Sequence, residues 1–392
     1  MKTVIVAKRF PANPPLRLPW AILMALLAVA SPAPAQDRHR TELPFPDLPG
    51  LITLRCDFHM HTVFSDGDVW PTVRVEEAWR DGLDAIALTD HIEYLPYKED
   101  IPVKYGRSAD VARGDAEALG VIVIRSAEIT RGEPPGHLNA LFLTNVSALD
   151  VEDYRVEVKK AVEQGAFVFW NHPGWKQPDH KSVWYAEQGE FYTNGWLQGI
   201  EIVNGRDYDP IAHQWCLEKR LTMVGGSDVH DPIDFDYHGP PDDIRPVTLV
   251  FAKARTAEAI REALVARRTA VFSRGRLIGE PEYLEPLFLR SIEVINPGIR
   301  LHGKRRALVQ IRNNAPMNFE LRLGPALPEM EVEERVVLAA GKVSLVSVRC
   351  LYDGVTGERE VRLPCRVLNL LAAPNQGLKT TLPVRLSFGP GT

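Results

Sequence analysis

The sequence predicts an α/β domain of the β/α-barrel class, followed by a small all-β sandwich. Through residues 51–285, apolar strand segments alternate with helical segments, and most strands end at a histidine or a carboxylate. From about Pro286 the helical periodicity is lost, and short strand segments are separated by turn residues. The first pattern is typical of a parallel sheet covered by helices, and the second, over residues 286–392, is typical of a β-sandwich.

The composition fits a globular protein of two domains. The chain has 392 residues, of which 45% are hydrophobic and 25% are charged, and this is enough material for a sizeable core. The formal net charge of −5 gives no basic excess of the kind that nucleic-acid-binding proteins carry, so we expect no nucleic-acid complex. The composition indicates no oligomeric state.

Residues 1–35 predict an export signal. Four basic residues precede or border an uninterrupted apolar run of 11 residues, 20–30, which is short for a membrane span. Small residues then favour cleavage after Ala35, so we expect an exported, periplasmic or extracellular protein with no stable membrane insertion afterwards. An uncleaved N-terminal anchor is the alternative. The proline-spaced residues 36–50 predict a linker into the first strand.

The first strand, residues 51–55, leads into a histidine pair. His59 and His61 occupy alternate positions, so both imidazoles point to the same side of an extended segment. Asp66 follows in a Ser-Asp-Gly turn that can return its carboxylate to the same place. Taken alone, the pair fits a cation site and a solvated strand end about equally well.

Further segments follow in alternation. The predicted helices are 71–80, 108–119, 152–164, 211–220 and 256–267. The predicted strands are 51–55, 84–89, 121–124, 137–143, 166–170, 199–203, 222–226 and 247–251. Metal-competent side chains lie at or near the ends of these strands: His91, Glu128, His137, His172, Asp228 and His230. Because side chains at the strand ends of a β/α barrel converge on one face, we expect these residues to share a site with the histidine pair.

The candidate ligands comprise six histidines and three carboxylates, in a chain that has 11 histidines in all. Histidine and carboxylate donors without thiolates suit Zn²⁺, Mn²⁺ or Fe²⁺. Nine ligands are too many for one cation. They are about right for two or three divalent metal ions if a carboxylate bridges them.

At this point the chain resembles a known family. Four motifs carry the resemblance: Asp57-Phe58-His59-Met60-His61 with Ser65-Asp66-Gly67; Thr89-Asp90-His91; Glu128 with His137 and His172; and Gly226-Ser227-Asp228-Val229-His230. Over about residues 52–280 the chain is similar to the PHP (polymerase and histidinol phosphatase) family of metal-dependent phosphoesterases. The resemblance implies a distorted seven-stranded β/α barrel with a trinuclear metal centre. The tracts around His137, His172 and Asn204 resemble the secreted branch, which includes carbamate hydrolases.

The resemblance also implies a role for each ligand. The first metal would take His59, His61, Glu128 and Asp228; the second would share Glu128 and take His137 and His172; the third would take Asp66, His91 and His230. Asp57 and Asp90 match positions that flank the ligands, and they are expected to orient ligand histidines by hydrogen bonds.

The expected activity is hydrolysis of phosphate mono- or diesters of small molecules, with a hydroxide that bridges two metals as the nucleophile. The same centre can serve a carbamate, ester or amide hydrolase, and the motifs do not distinguish these substrates. A non-catalytic protein that binds a surface ligand is the alternative of another class. Glu128 and Asp66 are the expected catalytic ligands, and His238 is the candidate proton donor to a leaving group.

Four loop residues are candidates for substrate contact: Tyr94, Trp175, Lys176 and Arg206. For each, an ordinary solvated loop residue is the alternative. The aromatic-rich loop 173–196 predicts either a lid or stacking wall at the site, or a hydrophobic cluster packed under the loop. In the sandwich, the sequence leaves open whether Cys350 and Cys365 pair, and whether the domain stabilises the barrel or binds a ligand.

Overall fold

The structure is a computed structural model that describes residues 39–238, 243–296 and 298–390. The predicted signal, residues 1–35, lies outside the described residues. Among the described residues, no helix has both the length and the apolar character needed to cross a membrane.

The described part of the predicted linker packs against the domain that follows it. The backbone N–H of Thr41 donates to the carbonyl of Arg80 at 2.7 Å. Three apolar side chains of the segment are buried in the core: Leu43, Phe45 and Leu48. Because these side chains leave water on folding, the segment contributes to the stability of the domain as well as connecting to it.

The N-terminal part alternates strands with helices. Its strands are β1 (Ile52–Asp57), β2 (Ala85–Leu88), β3 (Ile122–Thr130), β4 (His137–Leu141), β5 (Phe167–Trp170), β6 (Gly199–Asn204), β7 (Asp207–Tyr208), β8 (Thr222–Gly226), β9 (Val247–Ala252), β10 (Thr269–Ser273) and β11 (Arg276–Gly279). Its helices are α1 (Pro71–Arg80), α2 (Arg107–Leu119), α3 (Tyr154–Glu163), α4 (Ala186–Thr193), α5 (Pro210–Lys219), α6 (Ile233–Asp236), α7 (Ala257–Val265) and α8 (Pro281–Ser291). Two short 3₁₀ turns cover Val146–Leu149 and Pro178–His180.

The sheet is mixed, so the expectation of a parallel sheet is wrong in part. The strands follow in the order β9-β1-β2-β3-β4-β5-β6-β8. The pairs β1–β2, β2–β3, β5–β6 and β6–β8 are parallel, whereas β4 runs antiparallel to both β3 and β5. The connection between β3 and β4 is only residues 131–136. A parallel crossover needs a dozen or more residues, so the short loop forces the chain to reverse.

The reversal of β4 explains why a metal-competent residue stands at the start of that strand. His137 opens β4, and its neighbour in the ladder is Thr130 at the end of β3. The start of an antiparallel strand lies at the same edge of the sheet as the ends of its parallel neighbours. His137 therefore reaches the edge at which the other candidate ligands lie.

The two ends of the strand series meet beside the histidine pair. Met60 and Val229 form a parallel bridge just beyond β1 and β8. The Asp228 N–H donates to the His59 carbonyl at 2.8 Å, and the His61 N–H donates to the Val229 carbonyl at 3.0 Å. These contacts close the series of seven strands, β1 to β6 and β8 without β7, into a distorted barrel at the edge that carries the site.

The C-terminal part is a β-sandwich of two sheets. Its strands are β12 (Ile292–Val294), β13 (Gly298–His302), β14 (Arg306–Asn313), β15 (Phe319–Leu323), β16 (Met330–Val332), β17 (Arg335–Leu338), β18 (Val343–Cys350), β19 (Gly357–Ala373) and β20 (Gln376–Gly389). One sheet has the order β12-β14-β18-β16, and the other contains β13, β20, β19, β15 and β17. Buried and exposed residues alternate along most strands, which is why the sequence pattern predicted the sandwich. The short strands β13 and β16 were not predicted.

Helix α8 crosses the point at which the sequence loses its helical periodicity. The helix continues to Ser291 with Pro286 inside it. Leu284, Leu287 and Phe288 are buried on one face, so packing outweighs the hydrogen bond that proline removes. The strand that follows the helix, β12, is accordingly confined to Ile292–Val294.

Strand pairing joins the two parts of the chain. Strand β11 pairs in parallel with β19, with Leu277 opposite Leu370 and Ile278 opposite Leu371. One hydrophobic cluster contains buried side chains of both parts, from Val75 of α1 to Leu386 of β20. Cys350 and Cys365 do not form a disulfide: they lie in different sheets of the sandwich, and both are free thiols.

Candidate metal centre

Nine side chains converge at the edge of the barrel, and they are the nine that the sequence singles out. They form four overlapping groups whose donor atoms lie within 4.8 Å of one another: His59, His61 and Glu128; His59, His172 and Asp228; His91, Glu128 and His137; and His61, Asp66, His91 and His230. Each residue belongs to at least one group. The grouping differs in detail from the expected assignment, because His61 also lies with Asp66.

Glu128 occupies the middle of the centre, and both of its carboxylate oxygens face imidazoles. Its Oε2 atom lies within 3.4 Å of nitrogen atoms of three histidines: His59, His61 and His91. Its Oε1 atom lies 2.9 Å from Nδ1 of His137 and 3.8 Å from Nε2 of His172. The side chain is fully buried on β3. One carboxylate thus faces two separate sets of nitrogen donors.

Asp66 organises the more open side of the centre. Its carboxylate oxygens lie 3.4 Å from Nε2 of His91, 3.3 Å from Nε2 of His230 and 3.6 Å from Nδ1 of His61. The His61 ring stacks between the other two, with centroid distances of 4.4 Å to His91 and 4.3 Å to His230. The side chain of His230 is 38% exposed, whereas that of His61 is not exposed. Solvent therefore reaches the centre from the His230 side.

Two of the nine residues have backbone conformations that non-glycine residues rarely adopt. Asp228 has φ of 52° and His172 has φ of 27°. The Asp228 carboxylate lies 3.0 Å from Nε2 of His61 and 3.1 Å from Nε2 of His59. Strained backbone persists where surrounding contacts fix it, and it concentrates at functional sites.

The charges of the centre shift the pKa values of its members in opposite directions. Burial favours the neutral form of Glu128, but the nearby His91 and His59 outweigh it and hold its pKa well below the usual range. Burial together with the neighbouring His91 lowers the pKa of His61 to about 4. Burial also opposes the charge of His230, yet its hydrogen bond to Asp66 raises its pKa to about 9. The carboxylates are therefore ionised and ready to bind cations at neutral pH.

Glu201 is a further residue of the site, and it was not predicted from the sequence. Its Oε1 atom lies 2.9 Å from Nδ1 of His59, and its Oε2 atom accepts the N–H of His172 at 2.9 Å. Asn204 donates to Oε2 of Glu201 at 3.0 Å and to Asp228 at 3.1 Å. The signal was a carboxylate inside the otherwise apolar strand β6, because a buried charge needs a partner.

Gly226 makes room for this contact. A Cβ atom at this position would lie 2.4 Å from Oε1 of Glu201 and 2.6 Å from Cβ of His59. Any larger residue would separate the carboxylate from the imidazole. On the other side of the centre, Asn171 donates to Oε1 of Glu128 at 2.8 Å and fixes that carboxylate.

In the described part of the chain, neither Asp57 nor Asp90 contacts a ligand imidazole directly, which corrects the expectation of direct hydrogen bonds. Asp90 reaches one ring through a third residue: it accepts the Ser65 hydroxyl at 3.1 Å, and that hydroxyl lies 3.4 Å from Nδ1 of His61. The Asp57 carboxylate accepts the N–H of Ser227 at 3.1 Å and faces Arg245 at 3.3 Å. The Asp90 carboxylate accepts the N–H and the hydroxyl of Thr62, each at 2.8 Å. Both aspartates therefore brace the backbone of the loops that carry the ligands.

Three of the four predicted substrate-contact residues lie at or beside the border of the centre. The Trp175 ring is 45% exposed and lies 5.0 Å from the His137 ring and 5.1 Å from the His172 ring. Lys176 places its ammonium 3.7 Å from the centroid of the Trp175 ring, a cation–π contact. Tyr94 is 53% exposed, and its ring meets the edge of His91 at 5.8 Å. Exposed aromatic rings thus border the centre at His91 and at the His137–His172 pair.

The remaining candidates are Arg206, for substrate contact, and His238, for proton donation. Arg206 forms an ion pair with Asp243 at 2.8 Å and also donates to the carbonyl of Asp236. His238 is exposed, and its backbone N–H donates to Asp243 at 3.2 Å. Neither side chain has a contact with the nine residues in the described part of the chain.

The aromatic loop 173–196 is mainly a packed cluster. Phe191 is fully buried, and Trp184 contacts Trp170 at 6.1 Å and Trp215 at 5.3 Å between ring centroids. These side chains belong to a hydrophobic core cluster beneath the loop. Trp175 differs from them because it faces the candidate ligands.

Comparisons with known proteins cover both parts of the chain. The Ig-like domain family matches residues 292–383. A solved two-domain protein from Bacteroides vulgatus, which contains a predicted PHP-like metal-dependent phosphoesterase, is 42% identical; the alignment covers 89% of this chain and 100% of that chain, with a TM-score of 0.82. An amidohydrolase from Chromobacterium violaceum is 17% identical, over 56% of this chain and 98% of that chain, with a TM-score of 0.35.

One curated relative is an uncharacterised protein from Methanocaldococcus jannaschii. It is 37% identical over 83 residues, which are 21% of this chain and 36% of that protein. The aligned part of this chain therefore spans about a third of the length of that relative.

Proposed function

The chain belongs to the family of two-domain proteins with a PHP-like metal-dependent phosphoesterase, and from this membership we propose that it hydrolyses phosphate mono- or diesters of small molecules. The observation that carries the proposal is Glu128, whose two oxygens face separate sets of imidazoles. Bridged divalent cations are a recurrent arrangement in enzymes that cleave phosphate esters.

The donor set fits divalent metal ions. All donors are imidazole nitrogens or carboxylate oxygens, which suits Zn²⁺, Mn²⁺ or Fe²⁺, and the atoms of each group lie within 4.8 Å of one another. We propose two or three cations, held by the nine residues with Glu128 shared. When bound, they would lower the pKa of a water molecule and polarise the ester oxygen.

The chain's own residues fix this arrangement before substrate arrives. Glu201 holds His59 through Nδ1, so Nε2 of that ring points to the centre. Thr130 contacts Nδ1 of His91 through its hydroxyl at 2.5 Å, and Asn171 holds the Glu128 carboxylate. Because these contacts set the ring orientations, the donors need little rearrangement on binding a cation. Substrate would enter at the exposed His230 side, between Tyr94 and Trp175.

Hydrolysis of a carbamate, ester or amide is a second candidate, and one observation favours it. A phosphate ester usually requires cationic side chains for its charged oxygens, yet Arg206 is committed to Asp243, and Lys176 lies over the Trp175 ring. A neutral carbonyl substrate has no such requirement. The aromatic border of the site would also accommodate an aryl leaving group.

The test combines metal analysis with a substrate panel. Purified protein is stripped with a chelator, reloaded with Mn²⁺, Zn²⁺ or Fe²⁺, and assayed on p-nitrophenyl phosphate, bis-p-nitrophenyl phosphate and matched p-nitrophenyl carbamate and carboxylate esters. The proposal expects metal-dependent release from a phosphate ester. Release of p-nitrophenol from the carbamates alone would instead support the second candidate, hydrolysis of a carbamate, ester or amide. Inactivity of the fully loaded protein on every ester would favour a non-catalytic binding protein.

We also propose that the protein is exported, with cleavage after Ala35, and acts on a small molecule without a nucleic-acid partner. The support is the basic and apolar pattern of residues 1–35 and the net charge of −5. N-terminal sequencing of the secreted or periplasmic fraction should begin at Gln36. An intact Met1 in that fraction would contradict the cleavage site.

A further inference from the structure

A row of four basic side chains crosses the outer face of the larger sandwich sheet. Lys379 of β20 pairs with Arg366 of β19, Arg366 pairs with Arg322 of β15, and Arg322 pairs with Arg335 of β17. All four are exposed. Directly paired residues point to the same face, and neighbouring strands lie about 4.8 Å apart, so the cations form a straight row about 14 Å long.

The row is poorly neutralised. Arg322 forms an ion pair with Glu334 at 2.8 Å. In residues 298–390, the side chains of Lys379, Arg366 and Arg335 have no ion pair or hydrogen bond. Like charges directly opposite one another destabilise a sheet. Three successive pairs of this kind therefore cost stability that an anion lying along the row would restore.

The surroundings of the row restrict the shape of a partner. Glu320 lies on the same face as Arg322, two residues away along β15, and Glu334 lies beside Arg335. These carboxylates would repel the plane of an anionic membrane, which must approach the whole face, but not a thin chain that follows the row. A narrow, extended anion fits best.

The same face lacks the groups that bind nucleic acid bases. Beside the row, Val337 and Pro364 are exposed and Thr381 is half-buried, and none of the three is aromatic. The aromatic residues of these four strands, Phe319 and Phe388, are buried. Single-stranded nucleic acids depend on stacking with aromatic side chains, so a polymer without bases is the better match.

We propose that this row binds a linear anionic polysaccharide, whose carboxylate or sulfate groups lie along Lys379, Arg366, Arg322 and Arg335. The interaction surface is separate from the candidate metal centre and does not depend on the proposed hydrolase activity. Because the contact is electrostatic and exposed, its affinity falls as the salt concentration rises.

The test uses the whole protein and two matched pairs. Dextran sulfate is compared with neutral dextran, which has the same backbone without the charges. The double variant Arg366→Gln and Lys379→Gln is compared with Arg306→Gln and Arg312→Gln, which removes the same charge from the exposed face of the four-stranded sheet. We expect binding of dextran sulfate but not dextran, and a loss of about tenfold or more in affinity in the first variant only.

Circular dichroism and ester hydrolysis verify that both variants remain folded and that the metal centre is intact. Equal losses in the two double variants would show attraction by overall charge and would overturn the proposal. Absence of dextran sulfate binding by the unaltered protein at low salt would do the same. Equally tight binding of oligo(dT), or of vesicles rich in phosphatidylglycerol, would assign the row to another class of partner.

Discussion

Glu128 belongs to two of the four donor groups, and this distinguishes it from Asp66 and Asp228, which belong to one group each. Asp66 faces one group, at the exposed side, whereas Glu128 belongs to two groups. Loss of Glu128 would therefore disturb both of the donor groups to which it belongs. The nine candidate donors could be selected from the sequence because each lies near a strand end, where a fold of this class concentrates chemistry. That they bind cations stays a prediction.

We predict that Glu128→Ala lowers kcat/KM by at least about hundredfold relative to the unaltered protein, because it removes a donor shared between groups. The loss in Asp66→Ala should be smaller. Metal content per chain, measured by mass spectrometry on the same samples, should also fall further in Glu128→Ala. Equal activity losses with unchanged metal content would contradict the bridging role.

Glu201 was harder to assign, since its function depends on a distant residue. It lies in the middle of β6, and His59 lies 142 positions earlier in the chain. Only the fold brings them together, with Gly226 leaving the space between. A sequence shows that such a carboxylate is buried, but not which partner neutralises it.

We predict that Glu201→Gln weakens metal affinity by about 10- to 100-fold, because the amide no longer holds His59 as a carboxylate does. Competition with a chromogenic chelator measures the affinity directly. Glu262→Gln, which removes a carboxylate from a surface ion pair with Arg268, serves as the control and should leave affinity unchanged. Equal affinities of the two variants would exclude a positioning role for Glu201.

His213 provides a pH prediction away from the centre. It is fully buried on α5, Tyr208 contacts its Nδ1 atom at 2.8 Å, and burial lowers its pKa to about 4. The unfolded chain, with a histidine pKa of about 6.5, binds this proton first as the pH falls. The contribution of His213 to stability is therefore complete above about pH 6.5 and declines toward pH 4.

As the pH falls from about 7.5 to about 5, His213 should lower the free energy of unfolding by about 2 kcal/mol. We predict that urea unfolding of His213→Gln shows a pH dependence weaker by this amount than that of the unaltered protein. His302→Gln, on the sandwich, is the control, and its stability should depend on pH as strongly as that of the unaltered protein. Parallel pH profiles for His213→Gln and the unaltered protein would show that His213 does not titrate in this range.

At the scale of elements, local signals predicted helices better than strand directions. The start of α7 follows from Thr256, the first residue of the predicted helix 256–267, whose hydroxyl accepts the N–H of Ala259 at 3.2 Å and so caps the helix. The direction of β4 was missed, because the apolar pattern of a buried strand is the same in both directions. The short loop 131–136 was the available signal. Helix α8 was not predicted, since local propensity around Pro286 does not include the packing of Leu287 and Phe288.

We predict that Thr256→Ala destabilises the protein by about 1 kcal/mol, since an orphan N–H at the start of α7 loses its partner. Thr256→Ser keeps the hydroxyl and should lose much less. The midpoints of urea unfolding compare the two variants. A loss of the same size in both would point to the methyl group rather than the hydrogen bond.

At the scale of the whole molecule, barrel and sandwich are joined by backbone hydrogen bonds and by one hydrophobic cluster. The sequence indicated two domains with different strand and helix patterns, but not the strand pairing between them. No local signal marks β11 and β19 as partners. An appended domain on a flexible linker would unfold independently. Here, unfolding of either part would expose apolar surface of the other to solvent, including Leu277 and Leu370.

We therefore predict a single cooperative transition for the whole chain in differential scanning calorimetry. The calorimetric enthalpy should equal the van't Hoff enthalpy, as for one unfolding unit. Two resolved transitions, with the sandwich melting apart from the barrel, would contradict the shared core. Measurement at several scan rates separates this equilibrium property from irreversible aggregation.

The pairing of β11 with β19 also has a consequence for synthesis on the ribosome. Leu277 leaves the exit tunnel about ninety residues before its partner Leu370 is made. Until then the barrel has an open sheet edge, which is a template for pairing with other chains. A premature stop codon before Leu370 would thus be expected to remove the enzyme as well as the sandwich. Recombination could not replace the C-terminal domain independently of the barrel, because the replacement domain would also have to supply a strand that pairs with β11.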